Sequence, residues 1–143
     1  MPNVNLEGTW KFVSLEAVSS NGEVFYPYGE NPFGRLTYSS DGRMFVLLMD
    51  PDRPSFTSND PLSGTPEEVR AAFEGFDAYC GTYDIDGHQG IVTHHIEGGK
   101  FPNWVGTDQV RYFELSGNQL TLTALPIVLD GVEWTLKAVL IAI

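Results

Sequence analysis

The sequence predicts an all-β fold, an antiparallel up-and-down barrel of about eight to ten strands with one α-helix inserted around residues 65–79. Three observations predict it. Turn signals recur between short apolar stretches, as SNGE (20–23), SDGR (40–43), DIDGHQG (84–90), SGNQ (116–119) and LDGV (129–132). Asn-Gly and Asp-Gly between apolar runs mark tight hairpins, because a type I′ turn needs positive φ at both central positions. The stretches between the turns alternate with the period of two of a half-buried strand. One window alone, GTPEEVRAAFEGFDAYC (64–80), breaks that period and takes the spacing of a helix.

Strands are expected at 8–18, 23–28, 34–39, 43–50, 81–86, 90–98, 107–115, 118–125 and 132–143. Short strands joined in series by tight turns close on themselves, since closure removes exposed edges. Between the fourth and fifth lies DPDRPSFTSNDPLSG (50–64), a loop rich in Pro, Ser and Asp whose length marks it as a lid. Thr65 then reads as an N-cap, Pro66 as the first helical residue, and Glu67 and Glu68 suit the positive end of the helix dipole. Val69, Ala72, Phe73, Phe76 and Cys80 form an apolar stripe, expected to lie along the barrel wall or across one mouth. MFVLLM (44–49) and KAVLIAI (137–143) carry apolar residues on both strand faces, so something must cover the outer side. The helix can cover one, and a second subunit, making a homodimer, the other.

A chain of 143 residues is the length of one domain, 1–143, able to bury about two-thirds of its surface. Eight Lys and Arg against 19 Asp and Glu give a net charge of −11, which disfavours nucleic acid and anionic membrane surfaces as partners. Cys80 is the only cysteine, so no intramolecular disulfide, zinc–thiolate cluster or CxxC motif can be written, and a reducing, cytoplasmic location is expected. The start MPNVNLEGTW lacks the regions of a signal peptide, and AVLIAI (138–143) is too short to span a bilayer.

Adjacent strand residues point to opposite faces, so His94, grouped with Val92 and Ile96, is expected inside, while His95, grouped with Thr93 and Glu97, faces solvent. One metal ion cannot take both histidines from a straight strand, His88 sits in a turn, and no HxH or HExxH pattern exists. No metal or cofactor is therefore expected. His94 has two readings: a hydrogen-bonded wall residue, or a cavity imidazole that orients a carbonyl or moves a proton. Tyr38, Tyr83 and Trp104 are the aromatic residues chosen to line a cavity. Met44, Val46, Leu48 and Phe73 complete the expected lining with His94. An inward Arg111 needs partners, either stacking and backbone carbonyls or a ligand carboxylate or enolate. Asn103 and Asp108 read as turn and strand-start residues, Cys80 has no basic neighbour in sequence to activate it, and no GxSxG elbow is present.

LEGTWKFVS (6–14), PFGRLTY (32–38), MDPDRP (49–54), GTPEEVRAAFEGF (64–76), YCGTYDID (79–86), VTHHIEG (92–98) and FPNWVGTDQVRYF (101–113) together span most of the chain. With these motifs the chain resembles the bacterial and fungal family of small, calycin-type lipocalin-like domain proteins. The resemblance implies a lipocalin-like β-barrel with a small-molecule cavity, and no particular reaction. It also implies a signature in which Gly8 and Trp10 open the first strand and Trp10 packs near the closed end against an arginine from a late strand, Arg111. Two functions follow from different classes. One is binding of a small, largely apolar, aromatic or polyketide-like molecule. The alternative is a cofactor-independent cyclase, isomerase or hydrolase, in which the cavity orients the substrate while His94, Tyr83 or Arg111 polarises a carbonyl. A barrel filled by side chains would leave only a structural role.

Overall fold

Hairpin after hairpin, the turn residues set the architecture seen in the computed structural model, which describes residues 4–143. The strands are β1 (Gly8–Ser19), β2 (Val24–Phe25), β3 (Phe33–Tyr38), β4 (Arg43–Met49), β5 (Phe76–Asp86), β6 (Ile91–Gly99), β7 (Asp108–Ser116), β8 (Gln119–Ala124), β9 (Ile127–Leu129) and β10 (Val132–Ala142). All pair antiparallel, in the order β2-β1-β3-β4-β5-β6-β7-β8-β10-β9, and pairing of β1 with β10 closes eight of them into an up-and-down barrel. The turn between β9 and β10 shows the local cause: Asp130 and Gly131 sit at φ of 51° and 80°, the two positive values of a type I′ hairpin.

Three elements differ from expectation, each for a local reason. The second strand is two residues long, because the Tyr26-Pro27-Tyr28-Gly29 turn, closed by Gly29 N–H donating to the Tyr26 carbonyl, takes the rest of it. The short strand β9 pairs with the start of β10 in a stretch that falls between the expected strands 118–125 and 132–143. The helix α1 (Pro66–Glu74) ends at Gly75, and β5 starts at Phe76 rather than at residue 81. From Phe76 onward the chain pairs with β4, Met49 opposite Phe76 through Arg43 opposite Thr82, so the backbone groups are satisfied as a ladder. Phe76 and Cys80 thus belong to a strand, despite standing at helical spacing from Val69 and Phe73.

The start of the helix is as its residues dictate, with a complete capping box between Thr65 and Glu68 and Pro66 in the first turn. Its apolar stripe is not buried against the barrel: Val69 is 49% and Phe73 47% exposed. Arg53 holds the helix instead, donating to the Ala72 carbonyl at 2.9 Å while lying over the Phe76 ring, and Lys100 donates to the Phe73 carbonyl. The helix therefore leaves the outer face of β4 open, where Phe45 is 55% exposed.

Inward residues fill one half of the barrel. Leu6, Trp10, Tyr38, Met44, Val92 and Leu140 are buried there, and Trp10 Nε1 donates to the Leu6 carbonyl at 2.9 Å, closing that end with the segment that leads into β1. Close packing demands glycine at several strand positions: a Cβ on Gly34 would lie 2.7 Å from the Phe12 ring, one on Gly99 2.7 Å from the Tyr79 Cβ, and one on Gly81 1.8 Å from the His95 carbonyl oxygen. Gly81 sits at the register shift where β5 and β6 bulge. The up-and-down path brings the long connections, 26–32, 50–65 and 100–107, together at the other end.

Candidate functional site

Toward that end the interior is not filled. It holds a cavity of about 80 Å³, walled by apolar residues that include Leu15, Leu36, Val46, Leu48 and Leu122, with Trp104 from the Pro102–Trp104 turn at its edge. A water needs roughly 10–15 Å³ by the same measure, so the space suits several waters or a flat ring. Five polar side chains converge on it: Tyr28, Asp77, Tyr79, His94 and Arg111. A larger concavity of about 600 Å³ lies on the outer face of β3, β4 and β5. It is a shallow groove, and the convergence of polar groups marks the interior cavity as the site.

His94, at the centre of β6 and 2% exposed, is held at both ring nitrogens. Tyr38 Oη lies 2.6 Å from Nε2 and Tyr79 Oη 2.8 Å from Nδ1. Burial, then the positive charge of Arg111, then His95 push its pKa down to about 3, so the ring is neutral at physiological pH. Burial likewise raises the hydroxyls of Tyr38 and Tyr79, with the Arg111 charge opposing the rise in both. Tyr28 is raised by burial and by the nearby Asp77 and Tyr79, and the Asp77 carboxyl is raised by burial against the pull of Lys100 and Arg111. Arg111 Nη1 donates to the Val110 carbonyl at 3.1 Å, and among the described residues its guanidinium makes no ion pair.

Of the residues expected to line a cavity, Val46, Leu48, His94 and Trp104 do so, as does Arg111. Tyr38 stands behind the wall, reaching the cavity through His94, and Met44 is packed in the core. Tyr83 does not reach the cavity: its ring packs on Tyr38 at 4.7 Å between centroids, and its hydroxyl donates to the Ser39 carbonyl at 2.8 Å. Phe73 lies outside the barrel under the Lys100 ammonium, because the helix ends before its stripe can turn inward. The signature residues Trp10 and Arg111 do not stack on each other. Trp10 is engaged with Leu6 at the closed end, whereas Arg111, opposite Ala124, lines the open half. His95 faces outward, between Asp108 at 2.7 Å and Asp84 at 2.6 Å, and these carboxylates raise its pKa.

Asp77, Tyr79 and Tyr28 are the site residues that reading the sequence did not select. Asp77 and Tyr79 were hidden by the helical spacing of 69–80, although the alternation of Phe76, Ala78 and Cys80 with Asp77, Tyr79 and Gly81 carries the strand signal. Tyr28 enters from a turn, where no periodicity exists to read.

Three comparisons place this geometry. The family model described as the lipocalin-like domain matches residues 7–142. The 4'-hydroxy-3'-methoxypropiophenone carrier protein of Aspergillus oryzae is 32% identical over 97 residues, which are 63% of this chain and 87% of that protein. A lipocalin-like protein of known crystal structure from Bacteroides uniformis superimposes with a TM-score of 0.50 at 12% identity, covering 96% of this chain and 98% of that one, a likeness of fold alone. No helix among the described residues is long and apolar enough to cross a membrane. With the family match running over nearly every residue of a closed antiparallel barrel, the chain belongs to the lipocalin-like domain family.

Proposed function

We propose that this protein binds a small, largely apolar aromatic molecule in the open half of its barrel. The carrying observation is the cavity itself, an apolar enclosure in which a few polar groups meet, the construction that fixes a small ligand's orientation while burying its surface. The relative from Aspergillus oryzae, named as the carrier of a hydroxylated, methoxylated aryl ketone, supports the same reading. Binding is favoured over catalysis by the state of His94: a neutral ring with both nitrogens held by tyrosines does not serve as a proton acceptor near neutrality. One observation favours the second reading, a cofactor-independent isomerase or cyclase: Tyr79 and Arg111 meet on one cavity, where they would polarise a bound carbonyl.

Trp104 is the one tryptophan of three that lines the cavity, so its fluorescence reports occupancy. Titration with 4'-hydroxy-3'-methoxypropiophenone should quench it saturably with one ligand per chain. Mass spectrometry of the ligand recovered after long incubation should return it unchanged; a converted product would select the enzyme reading. Absence of saturable quenching up to the solubility limit, together with a ligand-free mass for freshly purified protein, would overturn ligand binding.

A further inference from the structure

We propose that the Tyr79 hydroxyl, aimed by one tautomer of His94, and the Arg111 guanidinium form a two-donor seat for a single ligand oxygen, and that the ligand is a neutral aromatic ketone. The proposal rests on the cavity being a ligand site, and it names the class of ligand and the atoms that receive it.

Counting hydrogens fixes the tautomer. Tyr38 is 1% exposed, and its hydroxyl has His94 Nε2, at 2.6 Å, as its hydrogen-bond partner among the described residues. A proton on Nε2 would make Tyr38 the acceptor and bury its own O–H without a partner, a costly arrangement. With Nε2 bare, Tyr38 donates to it and both atoms are satisfied. The neutral ring then carries its proton on Nδ1, and that N–H donates to Tyr79 Oη at 2.8 Å. The Tyr79 hydroxyl therefore accepts from His94 and keeps its own hydrogen, and because Tyr79 lines the cavity, that hydrogen is available to a ligand there. His94 is a positioning residue: it turns a tyrosine that could point either way into a fixed donor.

Arg111 lines the same cavity beside Tyr79, whose hydroxyl oxygen it hydrogen-bonds, and with one N–H given to the Val110 carbonyl its five-donor fork still has donors to offer. Two donors beside each other select an oxygen that carries lone pairs. The Asp77 carboxyl on the same cavity disfavours an anion, so a ketone oxygen fits better than a carboxylate or an enolate. Asp77 and Tyr28 also offer acceptors to a ring hydroxyl. The apolar walls and the Trp104 edge suit the ring itself.

Two measurements test this. In a long-range proton–nitrogen correlation spectrum, His94 should show a protonated Nδ1 and a bare Nε2 in the wild type; the opposite pattern overturns the seat. The second compares 4'-hydroxy-3'-methoxypropiophenone with 2-methoxy-4-propylphenol, which keeps the ring, hydroxyl, methoxy and three-carbon chain and lacks the ketone. The wild type should bind the ketone about tenfold more tightly. Tyr79→Phe and Arg111→Gln should each bring that ratio close to one while the ketone-free compound keeps its affinity. Equal binding of both compounds by the wild type overturns the seat and leaves the cavity as an unselective binder, whereas no binding of either overturns the seat and, together with a ligand-free mass for freshly purified protein, the proposed function as well. Should a variant fail to fold, the wild-type ratio and the spectrum still decide.

Discussion

Burial and the Arg111 charge keep His94 neutral down to about pH 3, whereas an unfolded chain protonates it near 6.5. Between those values the unfolded state binds a proton that the folded state does not, so stability rises with pH across the window. The contribution is complete above about pH 6.5 and is lost as the pH falls toward 3, with a slope of roughly 1.4 kcal/mol per pH unit inside the window. His94→Gln, which can still accept from one tyrosine and donate to the other, should show a smaller loss of unfolding free energy between pH 7 and 4. Parallel denaturation curves for the two proteins would refute this. His95 works with the opposite sign. Raised by Asp108 and Asp84, it adds stability at low pH that disappears as the pH rises through its folded value, and its exposure lets salt screen the effect.

At the scale of elements, the helix is the part most loosely tied to the barrel. None of its residues is buried, and beyond its own capping box it is tied by hydrogen bonds from Arg53 and Lys100 to its carbonyls and from Thr57 to Glu68. Thr65→Ala removes one half of the box and should cost about 1 kcal/mol of helix stability. Because local opening need not reach the core, amide exchange should quicken over 66–74 while the denaturation midpoint hardly moves. A matching drop in global stability would show that the helix is part of the barrel's cooperative unit. The bulge at Gly81 is the contrary case, since a side chain there meets the backbone of β6 and cannot be accommodated by a rotamer change.

For the molecule as a whole, the charge of −11 on 143 residues makes self-repulsion a standing cost of compactness. Raising sodium chloride from about 10 mM to about 150 mM shortens the screening length from roughly 30 to 8 Å. The melting temperature should rise with salt in that range, and a flat or falling profile would mean that local ion pairs such as Arg70–Glu74 outweigh the repulsion.

The division between what is written along the chain and what only folding decides follows from the range of the interactions. Alternation, Asp-Gly turns and the Thr65-Pro66 start are local, and from them the sequence by itself determined an antiparallel up-and-down barrel, the start of its helix and the inward turn of His94. The end of the helix was not local: residues 76–80 satisfy both periods, and pairing with β4 settled them as strand. The site was less legible still. Tyr38, Tyr79 and His94 come from three strands, the first and the last 56 positions apart in sequence, and Arg111 from a fourth. Which tyrosines meet His94, and whether Arg111 or Tyr83 reaches the cavity, depend on register and barrel closure, and no spacing in the sequence encodes either. Tertiary structure alone decided between the two readings of an inward histidine, wall residue or proton carrier, by making it a neutral ring locked between two hydroxyls, because burial and a neighbouring cation are properties of the closed barrel.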